Sequence, residues 1–466
     1  MNLRSIARVV LALAAAGSAA RAGGLSAATN PQGGRAFVFS GATGQLVLTL
    51  NAPDVIPGGR FGETVAGIGD VDGDAIGDIA VGASGVKEGK FARCGRVYIF
   101  SGANGSLLRT ISAPVPAAGI RFGFVVAAAG DVNGDGAGDL VVGAPRGKTP
   151  GKGKTGTAYL FSGGDGALLA TLAPPQPHAR SEFGSSLAAG QDVTGDGEPD
   201  ILVGAPADPV GRISHSGSIF VFGKTGTPET SISNPSPQAG SRFGESVAAT
   251  GDIDGDGVAD VAIGADGQSL AIDDFTGVVF LFSAAGTTPV LIDKDASATQ
   301  KQFANFGFSV AGLPDVNGDG VGDFAATAPD EDVSTLTSVG RLYVTGGDPN
   351  AESIATFDDP APASSNFLGG SVAALPDVTG DALPELAVGA ELHVDPNGVR
   401  NGRAYVIEAK NGALHLTIEP PTGDVCSRFG WAVAATSDVD ADNVADVVVG
   451  APFHHVTPRY AQESCF

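Results

Sequence analysis

The chain has 466 residues, including 70 glycines, and its formal net charge is −24. This length suits two or three ordinary domains or one large repeat architecture, and the 43% hydrophobic content excludes a disordered chain. The acidity opposes binding to nucleic acid or to an anionic membrane, and it suits a protein that binds cations.

The N-terminus has the pattern of a secretory signal peptide. Arg4 and Arg8 precede an apolar run over residues 9–16, and small residues follow as far as Ala22. The run is far shorter than the ~20 residues of a membrane span. We therefore predict a signal peptide over 1–22 and a mature chain over 23–466, secreted to the extracellular space or the periplasm.

An acidic nine-residue loop recurs seven times along the chain. The copies are residues 70–78, 131–139, 192–200, 252–260, 315–323, 377–385 and 438–446. A short apolar-glycine element precedes each copy, and these elements start 61, 61, 60, 63, 62 and 61 residues apart. They are Phe61-Gly62, Phe122-Gly123, Phe183-Gly184, Phe243-Gly244, Phe306-Gly307, Leu368-Gly369 and Phe429-Gly430. So regular a period predicts a repeat architecture.

Each period contains four strand signals. In the first period these are residues 63–69, 79–83, 95–100 and 106–111, with the acidic loop between the first two and an Asn-Gly turn between the last two. Four-stranded units at this period predict an all-β fold, a seven-bladed β-propeller.

The two ends of the chain complement each other. The last period lacks its final two strands, and residues 33–50 carry the missing pair. We therefore predict that blade 7 combines 33–50 with 429–466, which removes the open sheet edges.

The acidic loops have the oxygen-rich pattern of a cation site. Positions 1, 3, 5 and 9 offer side-chain oxygens, position 7 would offer its backbone carbonyl, and glycines at positions 4 and 6 permit the tight turn. Such ligands suit Ca²⁺, which takes about six to eight oxygens, better than Mg²⁺, and the loops contain no His or Cys for zinc or copper. The alternative is a turn in which aspartates bind backbone groups.

Sevenfold recurrence favours the metal, so we predict up to seven Ca²⁺, one per blade. The predicted ligands are Asp70, Asp72, Asp74, Ile76, Asp78, Asp131, Asn133, Asp135, Ala137, Asp139, Asp192, Thr194, Asp196, Glu198, Asp200, Asp252, Asp254, Asp256, Val258, Asp260, Asp315, Asn317, Asp319, Val321, Asp323, Asp377, Thr379, Asp381, Leu383, Glu385, Asp438, Asp440, Asp442, Val444 and Asp446.

The loops are unequal. The 377–385 loop has Thr379 at position 3, Ala382 in place of glycine and Glu385 at position 9, so we predict that it is the weakest site. In the last loop Ala441 replaces glycine, whereas Asn443 tolerates a left-handed conformation. Because the loop recurs in every blade, we predict a structural role for the metal, with no catalytic or cofactor-binding residue in these loops.

The repeats resemble a known family. Residues 242–265 and 121–145 are similar to the FG-GAP repeat of the integrin α-subunit head, a seven-bladed propeller, and the Gly-Ala-Pro element survives at 143–145, 204–206 and 450–452. The resemblance covers nearly the whole mature chain and implies calcium at the acidic loops. It also suggests a free-standing, exported protein of bacterial type, and some fungal relatives of this kind bind sugars.

Two functional hypotheses follow. The first is a monomeric, non-enzymatic binding or adhesion propeller for an extracellular glycan or protein, with its recognition surface on the variable loops opposite the acidic loops. These loops are residues 84–94, 146–155, 207–216, 266–276, 330–339, 391–401 and 453–465. The basic stretch Arg146, Lys148, Lys152 and Lys154 is either a site for an acidic glycan or carboxylate, or a solvated loop.

The second hypothesis is a polysaccharide hydrolase or lyase acting at the channel mouth. Its candidate residues are His454, His455, Arg459 and Tyr460, which occur in one blade only. The sequence shows no nucleophile motif and no paired carboxylates outside the acidic loops.

Three cysteines leave the disulfide pairing open. Cys426 could pair with Cys465 within blade 7, or Cys94 could take part and join blades 1 and 7.

Overall fold

The computed structural model describes residues 33–149, 153–270, 275–286, 288–295, 302–348, 353–395, 397–421 and 426–454, with only the backbone for 149 and 292–295. These residues form seven four-stranded antiparallel sheets and one short hairpin. The predicted seven-bladed β-propeller is therefore confirmed. The predicted signal peptide, residues 1–22, lies outside the described residues.

The strands follow one another blade by blade, from the inner strand outwards. Blade 1 contains β3 (Thr64–Gly69), β4 (Asp78–Ala83), β5 (Arg96–Phe100) and β6 (Leu107–Ser112). Blade 2 contains β7 (Val126–Gly130), β8 (Asp139–Ala144), β11 (Thr157–Phe161) and β12 (Leu168–Leu172), with the hairpin β9 (Lys148–Thr149) and β10 (Gly153–Lys154) inserted. Blade 3 contains β13 (Leu187–Gln191), β14 (Asp200–Ala205), β15 (Ser218–Gly223) and β16 (Pro228–Ser233).

The remaining blades repeat this order. Blade 4 contains β17 (Ser246–Ala249), β18 (Val261–Ala265), β19 (Val278–Ser283) and β20 (Val290–Asp295). Blade 5 contains β21 (Val310–Leu313), β22 (Asp323–Ala328), β23 (Arg341–Gly346) and β24 (Ser353–Asp358). Blade 6 contains β25 (Leu368–Leu375), β26 (Glu385–Ala390), β27 (Arg403–Glu408) and β28 (Leu414–Ile418). Blade 7 contains β29 (Ala432–Thr436), β30 (Asp446–Ala451), β1 (Arg35–Phe39) and β2 (Leu46–Asn51).

The seven inner strands surround the propeller axis. Neighbouring inner strands contact each other in a closed cycle, from β3 through β7, β13, β17, β21, β25 and β29 back to β3. These strands are rich in alanine and glycine because backbones converge there. A Cβ on Gly312, for example, would lie 1.8 Å from the carbonyl oxygen of Ala249 in the adjacent blade.

Blade 7 joins the two ends of the described chain. Strand β1 pairs with β30, with Arg35 opposite Ala451 and Phe39 opposite Val447. This is the predicted closure, and it gives blade 7 the same four strands as the other blades.

The apolar-glycine element links successive blades. Its apolar side chain is buried in every blade, and Phe183, for example, packs edge-on against Phe220 and Phe222 of its own blade. The backbone of Phe183 forms a parallel bridge with Gly156 of the preceding blade. The following Gly184 donates a hydrogen bond to the carbonyl of Gly204, in the Gly-Ala-Pro element. The two repeated motifs therefore contact each other, which explains why they recur together.

The described cysteines exclude one disulfide alternative. Cys94 is free and buried, so the predicted Cys94 link between blades 1 and 7 is wrong. Cys426 is disulfide-bonded, and its proposed partner Cys465 lies outside the described residues. Within the described ranges, the chain forms no helix of the length and apolarity that crossing a membrane requires.

The backbone bridge between Gly217 of blade 3 and Phe243 of blade 4 predicts that a side chain at Gly217 would strongly destabilise the protein. Its φ is +91°, and an added Cβ would lie 1.9 Å from the carbonyl oxygen of Phe243 in the next blade. We expect Gly217→Ala to lower the free energy of unfolding by roughly 2–4 kcal/mol, measured by urea denaturation.

The matched control is Gly211→Ala. Gly211 also has a positive φ, +63°, but no atom lies within 4 Å of an added Cβ. This variant should lose only about 1 kcal/mol, the strain of the left-handed backbone alone. Equal losses in the two variants would contradict the assigned contact between blades.

Candidate functional site

All seven acidic loops connect the first strand of a blade to the second, at one end of the propeller. The carboxylate at position 9 stands at the start of the second strand, in blade 4 one residue before it, and is buried in each blade, with exposures of 0–1%. One of its oxygens accepts a hydrogen bond from the backbone N–H at position 2, at 2.7–2.9 Å in all seven loops. This carboxylate therefore closes the loop whether or not a cation is bound.

The carboxylates at positions 1 and 5 are also held by the backbone. One oxygen at position 1 accepts the N–H of position 6 at 2.7–2.9 Å in every loop. One oxygen at position 5 accepts the N–H of position 7 at 2.8–2.9 Å. The capping interpretation and the metal interpretation are thus compatible, because the amide bonds orient the carboxylates that a cation would use.

Four loops bring three carboxylates together. In each, one oxygen from every member of the group lies within 4.8 Å of the others, which is a spacing that a single cation can bridge. The groups are Asp70, Asp72 and Asp78; Asp252, Asp254 and Asp260; Asp377, Asp381 and Glu385; and Asp438, Asp440 and Asp446. In the second group, Oδ1 of Asp260 is buried and accepts no hydrogen bond, so a positive ligand would satisfy it. The residues present therefore fit a divalent cation.

The other three loops, like the 377–385 loop with its Thr379, have no aspartate at position 3. Asn133, Thr194 and Asn317 replace the aspartate there. The Asn133 amide donates to Asp135 at 2.9 Å, and Asn317 donates to Asp319 in the same way. These amides donate to the position-5 carboxylates without adding a negative charge to the loop.

Burial disfavours ionisation of the position-9 carboxylate in four of the loops. Burial, together with the nearby charges of Asp72 and Asp74, raises the pKa of Asp78 to about 6. Burial likewise raises the pKa values of Asp260, Asp323 and Asp446 to about 6. A bound cation would remove this penalty by stabilising the charged forms.

The 377–385 loop already contacts a positive charge. Lys410, in the turn between β27 and β28, forms an ion pair with Asp381 at position 5. This ammonium group neutralises part of the cluster and would compete with a cation. The contact supplies a reason for weak metal binding that is absent from the loop sequence itself.

Four loop residues adopt left-handed conformations without being glycine. Ala75, Ala382, Ala441 and Asn443 have φ values between 65° and 70°. The sequence predicted a left-handed conformation for Asn443. In the first loop, Ala75 takes the place of the glycine at position 6. Alanine in this conformation costs about 1–3 kcal/mol, so these loops are strained relative to loops with two glycines.

The opposite end of the propeller carries the unrepeated residues. The variable loops join the second strand to the third, which places them at the far end from the acidic loops. The residues on either side of each apolar-glycine element also lie at this end, where the inner strands begin, and we call this end of the propeller axis the channel mouth. They are Arg60 and Glu63, Arg121 and Phe124, Glu182 and Ser185, Arg242 and Glu245, Asn305 and Phe308, Phe367 and Gly370, and Arg428 and Trp431.

Sequence reasoning missed this ring of residues because it lies inside the repeat. Every residue that precedes the apolar-glycine element has a positive φ, between 52° and 60°, although none of them is glycine. The signal available in the sequence was the contrast between the repeated element and its flanks, which differ from blade to blade.

Arginine and aromatic side chains dominate part of the channel mouth. The Arg428 guanidinium lies 5.3 Å from the Trp431 ring centroid and 5.1 Å from that of Phe453. Arg121 lies 4.4 Å from the Phe124 ring centroid and forms a 3.0 Å ion pair with Glu63 of blade 1. Such a surface offers both charge and apolar area to a ligand.

Two earlier expectations change at this face. Of the candidate enzyme residues, His454 is buried and packs edge-on against Phe37 within blade 7, so it does not line the channel mouth. His455, Arg459 and Tyr460 lie outside the described residues.

The residues of the basic stretch lie in two different environments, a cavity and the solvent-exposed hairpin. Arg146 lines a cavity at the channel mouth, whereas Lys148 and Lys154 are exposed in the β9–β10 hairpin, and Lys152 is outside the described residues.

The FG-GAP repeat family matches five segments of the chain, namely residues 122–161, 183–222, 243–282, 306–345 and 429–462. Each segment begins at the apolar residue of an apolar-glycine element, and the first four run into the third strand of their blades. The segments therefore correspond to blades 2, 3, 4, 5 and 7.

Curated relatives resemble the chain over part of its length. Integrin alpha-4 of Xenopus laevis is 32% identical over 198 residues, covering 41% of this chain and 18% of that protein. Integrin alpha-10 of Homo sapiens is 33% identical over 171 residues, covering 35% and 14%. Phosphatidylinositol-glycan-specific phospholipase D of Rattus norvegicus is 38% identical over 142 residues, covering 27% and 16%. The chain spans about a fifth or less of the length of these relatives.

The hydrogen bonds of the last loop predict different roles for two of its aspartates. Asp446 accepts the N–H of Val439 at 2.8 Å and that of Gly41 at 3.1 Å, whereas Asp440 is exposed. In the presence of chelator, Asp446→Ala should lower the free energy of unfolding by roughly 2–4 kcal/mol, because two buried N–H groups lose their acceptor.

Asp440→Ala is the control, since it removes a candidate metal ligand without removing those bonds. Its unfolding free energy in chelator should stay within about 0.5 kcal/mol of the wild-type value in urea titrations. If both variants lost the same stability, the backbone role assigned to Asp446 would be wrong.

Proposed function

Because the chain is an FG-GAP repeat protein with an integrin-α-like β-propeller, we propose that it is an extracellular, calcium-binding module for adhesion or ligand binding, without enzymatic activity. The observation that carries the proposal is the division of the propeller into two ends. One end repeats the same acidic loop in every blade, and the other carries side chains that differ from blade to blade.

Calcium is the cation that the loops suit best. Their donor atoms are carboxylate, amide, hydroxyl and carbonyl oxygens, and Ca²⁺ accepts such ligands in flexible, high-coordination geometry. The loops lie between strands of each blade, so a bound cation would hold together carboxylates that otherwise repel one another. We propose a structural role for it, with Lys410 making 377–385 the weakest site.

A binding role fits the channel mouth better than catalysis. Arginine, glutamate and aromatic side chains meet there, as in surfaces that recognise polar ligands. Among the described residues, the one candidate histidine of the enzyme hypothesis, His454, is buried against Phe37. The integrin relatives support adhesion by analogy alone, because they are matched over a small share of their length.

Calcium should raise the melting temperature of the protein. Modules of this kind bind Ca²⁺ with Kd values of about 10⁻⁴–10⁻³ M, and a tenfold excess over Kd contributes about 1.4 kcal/mol per occupied site. We expect a shift of roughly 10 °C between calcium and chelator in differential scanning calorimetry. Magnesium at the same concentration should give a much smaller shift, and coincident melting curves in calcium and chelator would refute structural calcium.

The binding role is tested by screening the calcium-loaded protein on arrays of extracellular glycans and proteins. We expect saturable binding to at least one class, reduced by substitutions at the channel mouth and retained after substitution of exposed residues on the outer strands. The same glycans are incubated with the protein and analysed for shortened products. Chain cleavage would replace the binding proposal by the hydrolase or lyase alternative.

A further inference from the structure

A cavity opens where blades 2, 3 and 4 meet at the channel mouth. Arg121, Arg146 and Arg242 line it together with Glu182, Glu245 and Phe124. Three guanidinium groups around one cavity are unusual in a chain with a formal net charge of −24. The cavity is therefore a local site for negative charge on a protein whose overall charge repels anions.

Some of these groups are already paired. Arg121 binds Glu63 at 3.0 Å, and Arg242 binds Glu245 at 2.5 Å. In the described part of the chain, by contrast, the side chains of Arg146 and Glu182 make no hydrogen bond or ion pair. The cavity thus offers one uncommitted cationic donor and one uncommitted acceptor.

A second acceptor in the cavity also lacks a partner. Oε2 of Glu245 is buried without a hydrogen-bond donor, although Oε1 of the same residue binds Arg242. Buried oxygens of this kind are costly unless a donor reaches them. A ligand that fits must bring acceptors to Arg146 and donors to Glu182 and Glu245.

This requirement selects among anions. An ionised aspartate or glutamate side chain brings acceptor oxygens to Arg146 but no hydroxyl donor for Glu182 or Glu245. A uronic acid carries a carboxylate for the guanidinium and hydroxyl groups that donate to carboxylates, all on one ring. We propose that the cavity binds a uronic acid residue of an acidic glycan, with its carboxylate on Arg146 and a hydroxyl on Glu182.

The exposed lysines of the inserted hairpin support this ligand. Lys148 and Lys154 lie in the same connection as Arg146 and are exposed to solvent. They extend the positive potential away from the cavity, where further acidic units of the same glycan would lie. This inference rests on the proposed binding function and specifies its ligand class.

The test compares three probes on the calcium-loaded protein by isothermal titration calorimetry. The probes are a trisaccharide of galacturonic acid, the neutral galactose trisaccharide and a glutamate tripeptide. We expect binding of the first and at least ~10-fold weaker binding of the other two, since each lacks either the carboxylate or the hydroxyl groups.

Variants then locate the site. Arg146→Ala should weaken galacturonate binding by ~10-fold or more, whereas Lys224→Ala, which removes a positive charge next to Glu198 at the acidic end of the propeller, should change it by less than about threefold. Glu182→Ala should also weaken binding, and Glu182→Gln, which keeps an acceptor oxygen, should restore most of it. Each variant is first required to melt at the wild-type temperature in calcium.

The outcomes separate this inference from the broader function. Tighter binding in Glu182→Ala would indicate a purely anionic ligand and overturn the uronic acid assignment, as would equal affinity for the glutamate tripeptide. If the arrays reveal a ligand whose binding is unchanged in Arg146→Ala, the binding function stands and the cavity assignment fails. Absence of galacturonate binding by the wild-type protein also overturns the assignment.

Discussion

The propeller depends on one buried contact that recurs between successive blades. The apolar side chain before each repeated glycine is buried, and its backbone N–H donates a hydrogen bond to the blade before it. Because the chain must turn sharply at this point, the preceding residue is forced into a left-handed conformation in all seven blades. That turn places the preceding side chain at the channel mouth. The same contact therefore holds the ring together and arranges the residues that a ligand would meet.

Each antiparallel blade places its acidic loop at one end of the propeller and its share of the channel mouth at the other. The inner strand of each blade begins near the channel mouth and ends at an acidic loop, so one strand length lies between the two ends. At the acidic end, backbone amides hold the carboxylates in position, and this preorganisation reduces the ordering that a cation must impose. At the other end, side chains differ in each blade and no repeated motif restricts them. Stability and recognition can therefore change independently within one repeat.

Much of this architecture could be predicted from the sequence. The period, the four strands per blade and the joining of the ends in blade 7 follow from repeated motifs, and the structure confirms them. The positions of the acidic loops also follow, because their spacing is local. Contacts between distant residues could not be predicted in this way. The pairing of Lys410 with Asp381 and the burial of His454 against Phe37 depend on which loops the ring brings together.

The meeting of both chain ends in blade 7 has a consequence for how the protein reaches its native state. Asp446 accepts a hydrogen bond from Gly41, a partner 405 residues earlier in the chain. Until the last strands have been synthesised, β1 has no β30 beside it, and its edge is open to pairing with other chains. Contacts of such long sequence separation form slowly. Closure of the ring is therefore the step that must wait for the last strands of the chain, whatever the order in which the other blades fold.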